Sequence, residues 1–243
     1  MPRDNSILRS VLSDQVKDRL LEAILTGEYP PGSRIVETRV ARECGTSQAP
    51  VREALRDLEA LGLVEIAPFR GARVRRPTRS ELLEAYVVRS ELEALAARLA
   101  VSRMTEVDLD ELQGYVDDMQ RAAREGDAYA EAMADANFHG RVMEIAGNAT
   151  LKRVWGHLEP FSRTYITVAI PGADRHQIAD LHPPVLDALR QRDPATVTDA
   201  VHRHFASAGA MLGRLWVDPD SPPAPSSRKT AQAASLPRAR RHR

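Results

Sequence analysis

The sequence of 243 residues lacks several features that define other classes of protein. It contains a single cysteine, Cys44, so no intramolecular disulfide can form. No run of about 18 consecutive apolar residues occurs, so no transmembrane helix is expected. The N-terminal segment MPRDNSILRS has no apolar stretch of the kind found in signal peptides. These absences indicate a cytoplasmic protein with no membrane partner.

Charge of neither sign dominates the chain, because 34 basic residues balance 34 acidic ones. The distribution is uneven: residues 78–217 are acidic, whereas residues 1–77 and 218–243 are mildly basic. A protein that binds DNA needs basic groups only on the face that docks, so overall neutrality does not exclude a nucleic-acid partner.

Residues 1–77 carry a mixed pattern of helices and strands. Apolar residues recur at helical spacing along the first helix: Leu12, Val16, Leu20 and Ile24. Further helices are predicted near 37–44 and 48–61, the second capped by Ser47 after a glycine turn. Two short β runs, 63–67 and 72–75, then predict a hairpin. This order of elements is that of a winged helix-turn-helix.

Residues 78–217 are predicted to be helical throughout, with no strand pattern. Six helices are expected, near 80–102, 106–125, 127–146, 149–168, 175–191 and 194–216. The fold class is therefore mainly α, with an all-α antiparallel bundle of six or seven helices after the winged domain. Residues 218–243 are rich in Pro, Ser, Ala and Arg, which predicts a disordered basic tail.

The third helix of a helix-turn-helix enters the major groove, where its N-terminal residues contact base edges. In this sequence those residues are Ser47, Gln48 and Ala49, with Arg52 one turn further on. The Gln side chain suits adenine and the Arg side chain suits guanine. Arg56 lies on the same side of the helix and is expected to contact a phosphate.

The hairpin turn is basic as well, since it carries Arg70 and Gly71, with Arg73 following. A hairpin tip of this composition can enter or follow the minor groove. Arg34 and Arg39 are expected to add phosphate contacts. Any one of these arginines could be ordinary solvated surface, but the whole set points to one face that docks on double-stranded DNA.

Residues 21–74 resemble the N-terminal domain of GntR-family regulators almost from end to end. The matching motifs are G-x-x-x-P-G at 27–32, P-V-R-E-A-L at 50–55, L-x-x-L-G-L-V at 58–64 and R-G-A at 70–72. The resemblance implies a transcription regulator that binds a palindromic operator as a homodimer. Gln48 stands where the family often has Arg, which suggests a different operator sequence.

Four residues of the helical region form a candidate metal site. Asp135 and His139 are four residues apart, so they share one helix face. His182 and His204 lie on later helices. Three imidazoles and a carboxylate suit zinc, nickel or manganese, with positions left for water or an effector. The sequence has seven histidines, however, and a lone histidine is more often core or surface than ligand.

Residues 82–213 resemble the FCD ligand-binding domain of the FadR subfamily of GntR regulators. The matching residues are Arg89, Leu92 and Glu93, the pair Asp135 and His139, Gly147-Asn148, the run from His182 to Leu189, Asp193-Pro194-Ala195, and His204-Phe205. In metal-binding members of that family, an Asp and three His meet inside the bundle. The resemblance implies that Asp135, His139, His182 and His204 bind a divalent metal, with zinc as the first choice.

The same resemblance implies a small carboxylate effector. Arg89 is the candidate carboxylate clamp, with a surface salt bridge as its alternative role. Asn148 is a second candidate, although a Gly-Asn pair between helices is equally a turn signal. His202 lies two residues from His204 and is expected to point away from it, to the surface.

Three functions compete at this point. A ligand-responsive dimeric regulator accounts for all the motifs. A constitutive DNA binder would use the helical domain for dimerisation alone. A metalloenzyme could use three His and one Asp to activate water, but no general base lies at motif spacing and the DNA reader would be unexplained. The prediction is therefore a regulator and not an enzyme.

Overall fold

The computed structural model of the chain describes residues 5–67, 70–170 and 172–216. The N-terminal part is a small helical domain with a three-stranded sheet: α1 (Asn5–Leu25), β1 (Arg34–Ile35), α2 (Glu37–Glu43), α3 (Gln48–Ala60), β2 (Val64–Ala67) and β3 (Gly71–Val74). This order confirms the predicted winged helix-turn-helix. The predicted tail, 218–243, lies outside the described residues. Among the residues that the structure describes, no helix is long and apolar enough to cross a membrane.

The face of α1 that packs into the core differs slightly from the predicted one. Val16 and Leu20 are buried as expected, but Leu12 is 39% exposed and Ser13 takes the inward position. An α-helix has 3.6 residues per turn, so each step of four residues rotates about 40° past a full turn. Residues spaced only by four therefore rotate progressively away from the buried face, and Leu12 is the member of the predicted series that lies outside it.

The sheet has one more strand than the sequence predicted. Strand β1 pairs antiparallel with β3, and β3 pairs with β2, giving the order β1-β3-β2. The β1 strand has only two residues, too few to show the alternation that predicts a strand. Its register places Arg34 opposite Arg73 and Ile35 opposite Ala72.

The C-terminal part is an all-α bundle, as predicted, with its hydrophobic core between the helices. In residues 79–215, apart from the undescribed position 171, its helices are α4 (Arg79–Ala100), α5 (Glu106–Glu125), α6 (Ala128–Ile145), α7 (Ala149–Gly156), α8 (Pro160–Val168), α9 (Arg175–Ala179), α10 (Pro183–Gln191) and α11 (Pro194–Leu215). Polar caps explain several starts: the hydroxyls of Thr78 and Thr105 and the carboxylates of Asp127 and Asp193 each accept a first-turn N–H.

Two of the six predicted helices are each divided in two, which corrects the prediction. The continuous helices expected at 149–168 and 175–191 are interrupted before Pro160 and before Pro183-Pro184. Proline has no N–H to donate to the carbonyl four residues earlier, and its ring clashes with that carbonyl. The chain therefore turns at both places. The first turn leads into α8, and the second contains His182, a predicted metal ligand.

The DNA-reading domain packs directly on the bundle through α6 and α8. Ala132 and Phe161 of the bundle belong to the same buried cluster as the N-terminal core. Arg75, just after β3, forms an ion pair with Glu159, the left-handed residue that precedes α8. Gly62 follows α3 with a positive φ of 73° and lies against the start of α8.

We expect Gly62→Ala to lower the free energy of unfolding by more than about 1 kcal/mol, because alanine disfavours a positive φ. Its Cβ would also lie 2.6 Å from Ser162 Oγ and 2.9 Å from Glu159 Cβ. Gly114→Ala is the matched control, since Gly114 is helical with nothing within 4 Å of a Cβ. That change should stabilise by up to about 1 kcal/mol. Urea denaturation measures both, and equal effects would contradict the close approach at Gly62.

Candidate metal site and DNA-reading face

The four predicted metal ligands meet inside the bundle. Asp135 and His139 lie on α6, His182 is the residue before α10, and His204 lies on α11. Each is at most 7% exposed. One ring nitrogen from each of the three histidines lies within 4.8 Å of the other two. The bundle thus brings together residues that are up to 69 positions apart in the sequence.

Asp135 is at the centre of this cluster. Its Oδ1 lies 3.0 Å from Nε2 of His182 and 3.8 Å from Nε2 of His139. Its Oδ2 accepts a hydrogen bond of 2.8 Å from the hydroxyl of Thr164 on α8. Burial alone would raise the pKa of Asp135, but His139 and the hydrogen bond with His182 hold it well below its usual range. The carboxyl is therefore ionised.

Backbone carbonyls orient two of the imidazoles. Nδ1 of His182 lies 3.1 Å from the carbonyl oxygen of Ala179, and Nδ1 of His204 lies 3.3 Å from that of Leu181. The Ala179 carbonyl also accepts the backbone N–H of His182 at 3.2 Å, and it receives no bond from position 183, since Pro183 has no N–H. With the Nδ1 atoms engaged, a metal would take the Nε2 atoms, which is the usual pattern of metal-binding histidines. At His182 it would replace the 3.0 Å hydrogen bond between Nε2 and Oδ1 of Asp135.

Glu93 on α4 orients the third imidazole. Its carboxylate contacts Nδ1 of His139 and accepts hydrogen bonds from Nε of Arg89 (2.8 Å) and Nε1 of Trp155 (2.7 Å). Burial opposes ionisation, but Arg89 and His139 lower the pKa of Glu93 to about 2. The sequence analysis gave Glu93 no role, although its four-residue spacing from Arg89 places both on one helix face. Thr164, the partner of Asp135, had no sequence signal.

The residues present fit a divalent cation on three observations. Nε2 of His139 is buried and has no hydrogen-bond partner among the described residues. Burial and the neighbouring imidazoles of His182 and His139 lower the pKa of His204 well below its usual value, which favours the neutral form that binds metals. Histidines are neutral when they bind a metal, so with an ion bound to the three imidazoles Arg89, Glu93 and Asp135 would contribute one net negative charge, which the cation would compensate.

Arg89 is internal and does not form a surface salt bridge. It is 1% exposed, and its Cζ lies 4.9 Å from the ring centroid of Phe205 and 5.9 Å from that of Tyr86. Its Nε is bonded to Glu93, whereas its Nη2 has no partner among the described residues. A buried guanidinium with a free N–H is suited to binding an anion.

Two further predicted positions lie outside the cluster. Asn148 is exposed, and its Oδ1 accepts a 3.0 Å hydrogen bond from the N–H of Leu151 as the N-cap of α7. Asn148 therefore has the turn role in this structure, and its contact with an effector stays a prediction. His202 points away from the cluster, as expected, and lies 3.5 Å from Glu91.

The predicted base-reading residues lie together at the start of α3. Gln48 and Ala49 open α3, and Ser47 is its N-cap residue, although its side chain makes no capping bond. Arg52 donates to Glu37 of α2 (2.7 Å) and to the side-chain oxygen of Gln48 (3.1 Å). These bonds hold Arg52 beside Gln48, so the two candidate base-reading side chains are neighbours.

The wing adds a second group of cations. Arg34 packs within 4 Å of the position that a Cβ of Gly71 would occupy, and Arg73 donates to the carbonyl of Gly32. Arg70 is exposed at the hairpin turn; the preceding turn residues 68–69 lie outside the described residues. The remaining arginines of the set are exposed too: Arg39, paired with Glu43, and Arg56.

Helix α8 contacts both the DNA-reading domain and the buried cluster formed by Asp135 and the three histidines, called the metal cluster below. On one side, Thr164 is bonded to Asp135. On the other, Glu159 pairs with Arg75 and Ser162 lies beside Gly62. A change in the position of α8 would therefore alter the contacts with Asp135 and those with the DNA-reading domain.

A winged helix-turn-helix joined to a helical bundle defines a DNA-binding transcription regulator. Residues 12–74 match the family described as "Bacterial regulatory proteins, gntR family", and residues 84–207 match the FCD domain. This chain belongs to the GntR family of transcription regulators and has a C-terminal FCD domain. Its domains and relatives are regulators and not enzymes.

Curated relatives and a solved structure agree with this assignment. The chain is 36% identical over 201 residues to a probable D-xylose utilization operon transcriptional repressor of Paenarthrobacter nicotinovorans, covering 83% of this chain and 88% of that protein. It is 26% identical to the galactonate operon transcriptional repressor of Escherichia coli, covering 84% and 97%. The structure of E. coli McbR/YncC matches with a TM-score of 0.63 and 27% identity, over 84% of this chain and 97% of that chain.

A buried carboxyl outside the metal cluster, that of Glu131, should make the stability of the protein depend on pH. Glu131 on α6 is 1% exposed, and neither carboxyl oxygen has a hydrogen-bond partner among the described residues. Burial raises its pKa from 4.5 to about 8, with Arg175 opposing and Asp135 adding to the increase. The folded state therefore holds this proton more tightly than the unfolded state does.

The stability contributed by the protonated Glu131 should be complete below about pH 4.5 and be lost as the pH rises to about 8. Glu131→Gln removes this dependence. The free energy of unfolding of the variant minus that of the wild type should therefore increase with pH over this interval, under identical metal conditions. Urea denaturation at several pH values measures the difference, and a constant difference would contradict the assignment.

Proposed function

We propose that this chain is a ligand-responsive transcription regulator that binds a palindromic operator as a homodimer and senses a small carboxylate at a divalent metal site. Asp135, His139, His182 and His204 would hold the metal, with zinc as the first choice and nickel or manganese as alternatives. The observation that carries the proposal is the buried cluster of three imidazoles and one carboxylate, each oriented by a second group.

The donor set supports zinc, because nitrogen and oxygen donors from three His and one Asp match its preferences. The bound ion would supply positive charge that attracts a carboxylate oxygen. With a divalent ion bound to neutral histidines, the local charge would be one positive, since Arg89, Glu93 and Asp135 sum to one negative charge. A monoanionic effector then becomes the complementary ligand.

Arg89 supports the carboxylate class of effector. Its Nη2 is buried and lacks a partner among the described residues, while Glu93 connects its Nε to His139. Arg89 and the metal ligand His139 thus share one carboxylate and are held in a fixed relation. The relative named for the galactonate operon favours sugar acids within this class.

The DNA-reading face supports the operator part of the proposal. Gln48 and Arg52 lie side by side at the start of α3 and would contact bases, with Ser47 and Ala49 beside them. The arginines at 34, 39, 56, 70 and 73 and Gly71 would contact phosphates and the minor groove. A dimer would present two such faces to the two half-sites.

The direct test of sensing is a thermal-shift series on the zinc-loaded chain with D-galactonate, D-gluconate, lactate and acetate. A ligand at about 100 times its dissociation constant should stabilise by roughly 2.7 kcal/mol, and the shift should vanish with a chelator. His139→Ala should lose both the zinc and the shift, whereas the control His176→Ala, at an exposed position of α9, should keep both. Full zinc occupancy in the His139 variant would refute the site, and shifts that survive chelation would refute the role of the metal.

Operator recognition is tested with duplexes selected by the wild-type protein from a random library. Arg52→Ala should weaken binding by about 1–3 kcal/mol and relax the preference at one base pair, because a base contact is lost. Arg56→Ala should weaken all sequences alike and reduce the salt slope by about one. Arg121→Ala, on the exposed face of α5, is the control and should bind normally. Unchanged operator affinity in the Arg52 variant would overturn the assignment of the recognition helix.

A further inference from the structure

A surface groove runs between α4 and α11, directly outside the metal cluster. It has a volume of about 320 Å³, and its walls include Tyr86, Val87 and Ser90 from α4 and His202, Phe205 and Ala206 from α11. A volume of this order lies within the range of small-molecule pockets.

The space beside the metal cluster itself is much smaller. The cavity bounded by Glu93, Phe138 and His139 has a volume of about 10 Å³, enough for about one water molecule. An effector with several non-hydrogen atoms must therefore occupy adjoining space. The groove offers that space if the wall between the two opens.

One aromatic ring forms that wall. Phe205 lines the groove, and its ring centroid lies 4.9 Å from that of His204 and 5.7 Å from that of His139. The Arg89 guanidinium carbon lies 4.9 Å from the same centroid. Displacing this ring would join the groove to the metal ligands and to the unpartnered Nη2 of Arg89.

The two aromatic residues that line the groove, Tyr86 and Phe205, are held differently. The hydroxyl of Tyr86 is hydrogen-bonded to the hydroxyl of Thr167 at 2.7 Å. Phe205 has no polar atom, so its ring is held without a hydrogen bond, by neighbouring rings and by the Arg89 guanidinium 4.9 Å from its centroid. Phe205 is therefore the member that can swing aside at the lower cost, with Tyr86 as the fixed edge.

We infer that the groove between α4 and α11 is the effector subsite and its access route, and that Phe205 is the movable wall between this groove and the metal cluster. This inference rests on the proposed function. The carboxylate would reach Arg89 and the metal, and the remainder of the molecule would lie in the groove beside Ser90 and His202. The ligand class is a small carboxylate whose other end is polar.

A second pocket offers a competing route. It has a volume of about 310 Å³ and is lined by Met143, Glu144, Gly147, Asn148, Ala149 and Lys152. Met143 also lines the small cavity beside His139. Lys152 is paired with Glu144, so no free cation faces this pocket among its described lining residues. The groove is favoured because it adjoins Arg89.

The first experiment measures how fast a chelator extracts zinc from the loaded full-length chain. Phe205→Ala removes the wall, so the extraction rate should rise about tenfold or more. Phe205→Leu should give an intermediate rate and guards against a variant that does not fold. Met143→Ala is the matched control, since it truncates a buried side chain on the competing route, and its rate should stay near that of the wild type.

The second experiment fills each pocket from its rim, where exposed alanines leave the core untouched. Ala206→Trp should slow zinc extraction and abolish the thermal shift given by D-galactonate or whichever probe acid stabilises the wild type. Ala149→Trp, in the competing pocket, should change neither.

Faster extraction in the Phe205 variants alone, with loss of the shift in the Ala206 variant, would establish the route. Acceleration by Met143→Ala alone, or equal acceleration by both truncations, would overturn it in favour of the competing pocket or of general loosening. A wild-type chain that binds no zinc would instead overturn the proposed function, and the route with it.

Discussion

The buried carboxylate of Asp135 is the constraint on which the arrangement of the bundle depends. One oxygen faces His182 and His139, and the other accepts the hydroxyl of Thr164, so a single ionised group joins α6, α8 and the start of α10. An ionised carboxylate in an apolar core is stable only with such partners. The pKa of Asp135 is held low because those partners are present. The same partners would make this carboxylate a metal ligand.

The second requirement is a physical connection between this carboxylate and the DNA reader, and α8 supplies it. Thr164 faces Asp135, while Glu159 pairs with Arg75 at the end of the winged domain. A ligand can shift the placement of the reader only if it favours one arrangement of these contacts over another. The coupling between ligand binding and the placement of the DNA reader would therefore run through α8, which contacts Asp135 on one side and the winged domain on the other.

Much of the fold could be predicted from the sequence, because capped helices and a winged domain leave strong local signals. Asp135 and His139 share a helix face by spacing alone, His182 and His204 complete the candidate set, and the family resemblance supports these four residues among the seven histidines and their neighbours. The breaks before Pro160 and Pro183 were missed, since apolar periodicity continues across them. Their physical consequence appears only in three dimensions: at the second break the Ala179 carbonyl oxygen faces both the backbone N–H and the Nδ1 of His182.

Other parts of the site had no usable local signal. Thr164 is an ordinary helical threonine until α8 packs against Asp135. Arg34 joins the wing through a two-residue strand that no pattern reveals. Asn148 shows the opposite case: the Gly-Asn motif is compatible with an effector contact and with a turn, and the structure shows its Oδ1 as a helix cap, while the effector contact stays a prediction.

The central claim is that the buried cluster binds a metal through its histidines. X-ray absorption spectroscopy of the zinc-loaded protein tests it most directly, because imidazole ligands give a characteristic multiple-scattering signal. The account predicts three imidazoles together with oxygen ligands, and loss of one imidazole in His204→Ala. A spectrum of oxygen ligands alone, or one unchanged by His204→Ala, would contradict it.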